Sequence, residues 1–269
     1  MPIEGLDADG FIAREGALSR IQPDFAPVVD LARSEIARIF GPDRLHSAYL
    51  YGSIPRGTAV PGRSDLDLLL ALHHEPTTTD RADAADIAVT LGERCDRIIG
   101  AGIEVASVAT LLSELERYDL GWFVACLCTP LLGDDLAVRL PRYRPTALLA
   151  RETNGDLDRE LPRWREQRAD ATEAELVRLT RTVARRIVRT GLTLVLPRWG
   201  GWTSDLHRSA EIFARYYPQR AEQMRAAATA GRLPSSDPAL LDMLIDDLGS
   251  WLATEYIRVH GRKTPRPLT

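Results

Sequence analysis

Cysteine, lysine and long apolar stretches are all scarce in this chain of 269 residues. The three cysteines form no CxxC pair, which argues against a disulfide framework or a cysteine metal cluster, so we predict that Cys95, Cys126 and Cys128 are buried apolar residues. No uninterrupted run of about 18 apolar residues occurs, and a helix that crosses a membrane needs one. Lys263 is the only lysine among the 34 basic residues, so almost all the positive charge is carried by arginine.

Two common catalytic motifs and a surplus of positive charge are also missing. The chain contains neither GxxxxGKS nor GxxxxGKT, which excludes a P-loop, and its histidines show no HExxH spacing. The formal net charge is -4, whereas proteins that bind nucleic acids without sequence preference usually carry a basic surplus that neutralises phosphates. Nucleic acid is therefore a disfavoured partner, although a local basic groove would still permit it.

The composition is that of a globular protein, with 45% hydrophobic and 27% charged residues. The length suits two modest domains. Residues 1–14 are acidic and lack the apolar core of a signal peptide. We therefore expect a cytoplasmic protein with no membrane association, and the composition does not set its oligomeric state.

The most informative pattern is a pair of apolar segments separated by a glycine-serine turn. Residues 46–51 are short, apolar and aromatic, which predicts a β-strand, and Gly52 and Ser53 end it. Residues 64–72 predict a second strand whose apolar end is buried on both faces. Asp65 and Asp67 stand two residues apart in this strand, so their side chains point to one face.

A third carboxylate follows after a predicted crossover helix. Residues 80–99 have helical composition, residues 100–102 read as a glycine turn, and residues 103–108 predict a strand that carries Glu104 near its start. Neighbouring strands lie about 4.8 Å apart. If this strand pairs with the second one, Glu104 faces the same site as the two aspartates.

These residue types suit magnesium and a nucleoside triphosphate. Mg²⁺ prefers oxygen ligands and is usually held by one or two carboxylates together with substrate phosphates. We predict that Asp65, Asp67 and Glu104 bind two Mg²⁺ ions, one carrying the triphosphate and one lowering the pKa of an acceptor hydroxyl. Glu104 would also accept the hydroxyl proton as general base. Gly52 would let the backbone approach the phosphates, and Ser53 would donate hydrogen bonds to them.

The rest of the chain is predicted to be helical. The spacing of apolar residues predicts helices over residues 24–40, 110–117 and 121–128 in the N-terminal part. Residues 139–145 combine prolines and arginines and read as a domain boundary, giving residues 1–140 as a catalytic domain and 141–269 as an all-α helical bundle. The predicted bundle helices cover residues 148–168, 172–196, 204–217, 219–230 and 237–260. We expect the tail after Gly261 to be loose.

The strand residues resemble a known superfamily. Leu50-Tyr51-Gly52-Ser53, followed by Ser64-Asp65-Leu66-Asp67-Leu68-Leu69, resembles the motif of the nucleotidyltransferases that include DNA polymerase beta. More narrowly, it is similar to the aminoglycoside adenylyltransferases of the streptomycin/spectinomycin type, in which Ile103-Glu104-Val105 would match the strand with the third carboxylate. The resemblance is specific over residues 45–108. It implies an α+β fold, with an N-terminal nucleotidyltransferase domain built on a mixed sheet and a C-terminal helical bundle.

The resemblance also implies a reaction and a set of binding residues. An enzyme of this kind transfers AMP from ATP to a hydroxyl of a small, aminoglycoside-like acceptor and releases pyrophosphate, which implies an antibiotic-resistance function. The predicted nucleotide-binding residues are Gly52, Ser53, Arg56, Arg63, Ser64, Arg185 and Arg189. The predicted acceptor-binding residues are Glu104, Trp202 and Asp205.

Other interpretations of the same sequence stay open at this point. One alternative keeps the chemistry but has a macromolecule as acceptor, as in a tRNA-modifying toxin or a protein-AMPylating enzyme. Another is a noncatalytic binding module, a role that minimal domains of this type can serve. Each single feature also has a purely structural explanation. A glycine-serine pair often forms only a turn, loop arginines such as Arg56 and Arg63 are often solvated, and Trp202 and Asp205 suit core packing and helix capping.

Overall fold

The computed structural model describes residues 3–266, which form two compact units. The first, called here the sheet unit, spans residues 13–143, and the second, the helical unit, contains residues 144–266 together with residues 3–12. The chain therefore passes from one unit to the other twice. The second passage lies close to the predicted boundary at residue 140, whereas the grouping of residues 3–12 with the helices departs from the predicted domain 1–140.

The sheet unit is built on four strands in the order β3-β2-β1-β4. Strand β1 is antiparallel to both β2 and β4, and β2 is parallel to β3, so the sheet is mixed and the predicted α+β class is confirmed. The strands are β1 (Leu45–Tyr51), β2 (Ser64–Leu72), β3 (Ile98–Ser107) and β4 (Thr129–Gly133). The α-helices of this unit are α1 (Ala26–Arg44), α2 (Ser53–Arg56), α3 (Thr78–Arg94), α4 (Val108–Leu111) and α5 (Leu120–Trp122).

The sequence-based prediction is wrong at both edge strands of the sheet. Helix α3 ends at Arg94 and strand β3 already begins at Ile98, so the predicted turn at residues 100–102 is part of a strand. Strand β4 occupies a segment for which no strand was predicted. Both strands lie at the edges of the sheet, where glycine and proline are tolerated because one side of the backbone needs no partner.

The two faces of the sheet carry separate apolar cores. On one face, a buried cluster contains Ile36 of α1 and Ile87 of α3 together with Leu66 and Leu68 of β2. On the other face a smaller cluster covers only part of the sheet. Its buried members are Tyr49, Leu69, Ala71, Leu111, Val124, Cys128 and Leu136. Asp65 and Asp67 lie on this second face, beyond the end of the cluster.

The helical unit confirms the predicted helical C-terminal part, with more interruptions than the sequence pattern indicates. The predicted helix 148–168 is two helices separated near Gly155, and the predicted helix 237–260 contains a π-helical segment, Met243–Gly249. The α-helices are α6 (Ala147–Asn154), α7 (Leu157–Ala169), α8 (Glu173–Trp199), α9 (Leu206–Ala214), α10 (Ala221–Ala230), α11 (Pro238–Asp242) and α12 (Ser250–His260).

Both terminal segments are held against the helical unit. The Glu4 carbonyl accepts a hydrogen bond from the Trp202 N–H at 2.9 Å, and the Glu4 carboxylate pairs with Arg208 at 2.7 Å. These contacts explain why residues 3–12 group with the helices.

The C-terminal tail is anchored as far as the structure describes it. The Lys263 N–H donates to the Gly155 carbonyl at 2.9 Å, and Arg266 pairs with the buried Glu152 carboxylate at 3.2 Å. The prediction of a loose tail is wrong for residues 261–266, and residues 267–269 lie outside the described residues.

The three cysteines differ in burial. Cys126 and Cys128 are buried as predicted, whereas Cys95 is partly exposed, and there is no disulfide among them.

In the part of the chain from residue 3 to residue 266, no helix is long and apolar enough to span a membrane.

Candidate active site

The turn after β1 has a conformation that requires glycine. Strand β1 ends at Tyr51, and Gly52 follows with φ 80° and ψ -150°, a combination that is accessible to glycine and strained for other residues. The chain then enters the short helix α2 at Ser53. Gly52 is therefore the point at which the backbone turns away from the sheet.

Strand β2 places the two aspartates on the partly open face of the sheet. Leu66 and Leu68 are fully buried on the opposite face, whereas Asp65 and Asp67 are partly exposed. This alternation confirms that the two carboxylates share one face, since side chains along a strand alternate between faces.

The Asp67 carboxylate lies between two glycines of the neighbouring strands. In the register of the sheet, Asp67 is opposite Tyr51 of β1 on one side and Gly102 of β3 on the other. A Cβ added to Gly52 would lie 2.3 Å from Asp67 Oδ2, and one added to Gly102 would lie 3.8 Å from Asp67 Oδ1. The absence of a side chain at Gly52 thus leaves room for this carboxylate, whereas a Cβ at Gly102 would make only ordinary van der Waals contact with it.

Glu104 lies on the same face but further along the sheet. It is opposite Leu69, two positions beyond Asp67 in the strand direction, and both Glu104 and Gly102 are exposed. Within residues 3–266, the Glu104 carboxylate has no hydrogen bond or ion pair with another residue. It is accessible to a ligand that lies on this face.

The carboxylates do not form a closed metal cage by themselves. Among residues 3–266, no three His, Cys, Asp or Glu side chains are grouped closely enough to hold a metal ion. Protein sites for Mg²⁺ commonly supply only one or two carboxylates and leave the other positions to water and substrate phosphates. Asp65 and Asp67 fit that pattern, whereas the predicted assembly of both aspartates with Glu104 around the metal is not present as a compact group.

Of the predicted phosphate ligands near the turn, Ser64 has a structural contact, and its role in nucleotide binding stays a prediction. Ser64 is buried, lies on the same face of β2 as Leu66, and its hydroxyl accepts a hydrogen bond from the Val60 N–H at 2.9 Å. It therefore stabilises the loop that precedes β2. Arg56 pairs with Glu15 at 3.4 Å, and Arg63 is exposed.

The predicted arginines of the helical unit differ in their surroundings. The Arg185 side chain donates from Nε to the Gly231 carbonyl at 3.0 Å, which joins α8 to the end of α10. Arg189 is exposed on α8. Their neighbour Arg186 forms an ion pair with Asp156.

The predicted acceptor-binding residues of the helical unit have structural contacts. Trp202 is only 7% exposed and packs close to Gly5. Asp205 caps α9 by accepting a hydrogen bond from the Arg208 N–H at 2.8 Å, and it forms an ion pair with Arg232. Helix capping and packing account for these contacts, and the roles of Trp202 and Asp205 in acceptor binding stay predictions.

Two residues beside the aspartates were not singled out from the sequence. Tyr51 is the cross-strand neighbour of Asp67, and its ring packs edge-to-face on Phe123 with 4.9 Å between ring centroids. Gly102 is the other neighbour of Asp67. Period-two alternation from Glu104 would have placed Gly102 on the carboxylate face, but the glycines were interpreted as a turn.

The mixed sheet, with the glycine turn after β1 and the aspartates on β2, is followed by a helical unit, and this fold is shared with a solved enzyme structure. The chain is similar in structure to spectinomycin adenyltransferase AAD(9) from Enterococcus faecialis, solved with ATP and spectinomycin. The similarity has a TM-score of 0.55, covers 86% of this chain and 98% of that chain, and is accompanied by 14% sequence identity. No protein-family model matches the sequence, and no curated protein matches it at a significant level.

Proposed function

We propose that this protein is a Mg²⁺-dependent nucleotidyltransferase that transfers AMP from ATP to a hydroxyl of a small, aminoglycoside-like acceptor. The observation that carries the proposal is the pair of Asp65 and Asp67 on the open part of the sheet, with the Asp67 carboxylate fitted against Gly52. The similar structure contains ATP and spectinomycin, which supports a nucleoside triphosphate as co-substrate and a hydroxylated small molecule as acceptor.

In this proposal the residues of the chain have separate roles. Asp65 and Asp67 would hold Mg²⁺, which when bound would supply charge neutralisation for the triphosphate and a lower pKa for the acceptor hydroxyl. Gly52 and Ser53 would contact the phosphates, since the lack of a side chain at Gly52 lets the backbone come close to a ligand and Ser53 can donate hydrogen bonds to it. Glu104 is exposed on the same face, so it can accept the proton of the acceptor hydroxyl.

The chemical step is an in-line substitution at the α-phosphorus of ATP. The acceptor oxygen forms a new bond to that phosphorus while the bond from the phosphorus to the bridging oxygen of the β-phosphate breaks. The electron pair leaves with pyrophosphate, and the hydroxyl proton passes to Glu104. Pairing the nucleophile with a nearby base contributes roughly 10²–10⁴-fold to such a reaction.

The experiment that tests the function compares acceptors directly. The protein is incubated with Mg²⁺ and labelled ATP, GTP, CTP or UTP, and with aminoglycosides, total tRNA or lysate proteins in separate reactions. Label from ATP on an aminoglycoside is the expected result. Label found only on RNA or protein would replace the acceptor class by a macromolecule, and no transfer to any acceptor would contradict the proposed function.

A further inference from the structure

Gly102 occupies a special position on the face that carries the carboxylates. It lies in β3, an edge strand, and is directly opposite Asp67 in the register of the sheet. The next residue of β3 on the same face is Glu104, and both residues are exposed. A side chain at position 102 would therefore stand between the proposed metal ligand and the proposed general base.

The surroundings of Gly102 are open in every other direction. A Cβ at this position would meet only Asp67 Oδ1, at 3.8 Å, and no other heavy atom within 4 Å. Packing thus does not require glycine here. Neither does the backbone, since Gly102 is absent from the glycines with positive φ.

A ligand that lies on Gly102 is within reach of both acidic side chains. Residues that follow each other on one face of a strand are about 6.6 Å apart, which is twice the rise per residue. A hydroxyl oxygen above the Gly102 backbone would lie between the Asp67 carboxylate on the neighbouring strand and the Glu104 carboxylate on the same strand. In the proposed reaction, a nucleophile at this position would be close both to the carboxylate assigned to the triphosphate side and to the Glu104 base.

We propose that Gly102 determines the specificity for the acceptor, because the carbon that bears the reacting hydroxyl packs on its bare backbone. The inference rests on the proposed nucleotidyl transfer and concerns the shape of the acceptor around its reacting hydroxyl. A hydroxyl borne on a ring cannot extend beyond the bulk of that ring, so the ring needs an open surface beside the carboxylates. A primary hydroxyl at the end of a flexible chain does not need one.

The proposal is tested with Gly102→Ala and Gly102→Val, and with Gly100→Ala as a matched control in the same strand. A Cβ at Gly100 meets nothing within 4 Å, so this control should leave transfer unchanged. Valine favours strand conformation, so the β3 strand should be retained in Gly102→Val. Circular dichroism and thermal unfolding verify the fold of each variant.

The measured quantities are kcat/KM for spectinomycin and other cyclic aminoglycosides, and KM for ATP. We expect Gly102→Ala to lower kcat/KM for the acceptor by about 10- to 200-fold, which is the usual effect of one methylene-sized change at a substrate contact. Gly102→Val should lower kcat/KM further. The KM for ATP in Gly102→Ala should change by less than about twofold, because the added Cβ would make only ordinary van der Waals contact with Asp67 Oδ1 and leave the carboxylate in place.

Three results would overturn the inference. Full transfer activity in Gly102→Val would show that the acceptor does not lie on this residue, while the proposed function would stand. An equal loss of ATP binding and acceptor transfer would assign Gly102 to the nucleotide site. A wild-type protein that transfers AMP to no small molecule would reject the proposed acceptor and, with it, this inference.

Discussion

At the scale of single residues, the fit between Gly52 and the Asp67 carboxylate connects backbone conformation to chemistry. Gly52 has a positive φ, and a Cβ on it would lie 2.3 Å from Asp67 Oδ2. A substitution there has two separate costs. One is strain of the backbone, and the other is displacement of a carboxylate that we assign to metal binding.

The two costs can be separated with a matched pair of variants. Gly62 also has a positive φ, but nothing lies within 4 Å of a Cβ added to it. We expect Gly62→Ala to lose about 1–3 kcal/mol of unfolding free energy through strain alone and to keep its activity. Gly52→Ala should lose at least as much stability and nearly all transfer activity. Urea unfolding and AMP transfer measure the two effects, and an active Gly52→Ala would contradict our account of the turn.

The two aspartates give the most direct test of the proposed metal site. Asp65→Asn and Asp67→Asn should each lower the rate of AMP transfer by at least about a hundredfold, because metal binding supplies several kcal/mol of transition-state stabilisation. The thermal unfolding midpoint should change little, since both side chains are partly exposed.

Asp86→Asn is the control for these variants. This exposed residue lies on α3, which packs against the opposite face of the sheet. It should have full activity. Full activity in either Asp65→Asn or Asp67→Asn would reject the assignment of the site.

At the scale of elements, a buried carboxylate joins α1, α3 and the loop between β2 and α3. Asp80 is 2% exposed, and its carboxylate accepts hydrogen bonds from the hydroxyl and the N–H of Thr77. The same carboxylate pairs with Arg44 at 2.5 Å and with His74 at 3.2 Å. Burial by itself would raise the pKa of the Asp80 carboxyl. The hydrogen bonds from Thr77, Arg44 and His74 outweigh burial and hold the pKa well below its usual range.

This depressed pKa predicts how stability depends on pH. The ionised Asp80 stabilises the folded state fully above the unfolded pKa of about 3.9, and the stabilisation is lost as the pH falls towards the lower folded pKa. Asp80→Asn should therefore reduce the unfolding free energy at pH 7, and the difference from the wild type should shrink between about pH 5 and pH 2.5. Urea unfolding across this range measures it, with Asp86→Asn as the exposed control. A difference that is independent of pH would contradict the role of the charge.

Elements with one dominant signal could be predicted from the sequence, and elements with conflicting signals could not. The bounds of β2 were predicted as residues 64–72 and agree with the structure, because alternating polar and apolar residues lead into a continuous apolar run that ends before His73. Strand β4 contains Pro130 and ends at Gly133, which are turn signals in a single sequence. Only the pairing with β1, which the sequence does not display, makes the segment an edge strand.

The candidate site, like the fold, could be predicted where a single pattern in the sequence determines the result. Strand periodicity placed Asp65 and Asp67 on one face without knowledge of the fold. The position of Glu104 opposite Leu69 depends on the register between β2 and β3, and a bulge interrupts that register near the start of β2. Neither the register nor the bulge can be read from one sequence.

At the scale of the whole molecule, the helical unit is completed by the first residues of the chain. Removing residues 1–10 would delete the Glu4 contacts with Trp202 and Arg208. We expect faster amide hydrogen exchange in residues 199–214 and unchanged exchange in β2. Glu4→Ala, which removes only the ion pair, should produce a smaller effect because an exposed pair contributes about 0–1 kcal/mol. Equal increases of hydrogen exchange in both units would contradict the grouping of residues 3–10 with the helical unit.

The contact between Glu4 and Arg208 joins residues that are 204 positions apart, and the whole sheet unit lies between them in the sequence. During translation, the sheet unit leaves the ribosome as a continuous segment and has all its strands before α8 is made. The first residues must wait until α9 has been synthesised. Because domains fold as units and N-terminal ones fold first, the nascent chain should form its carboxylate-bearing sheet well before its opening segment finds a binding surface.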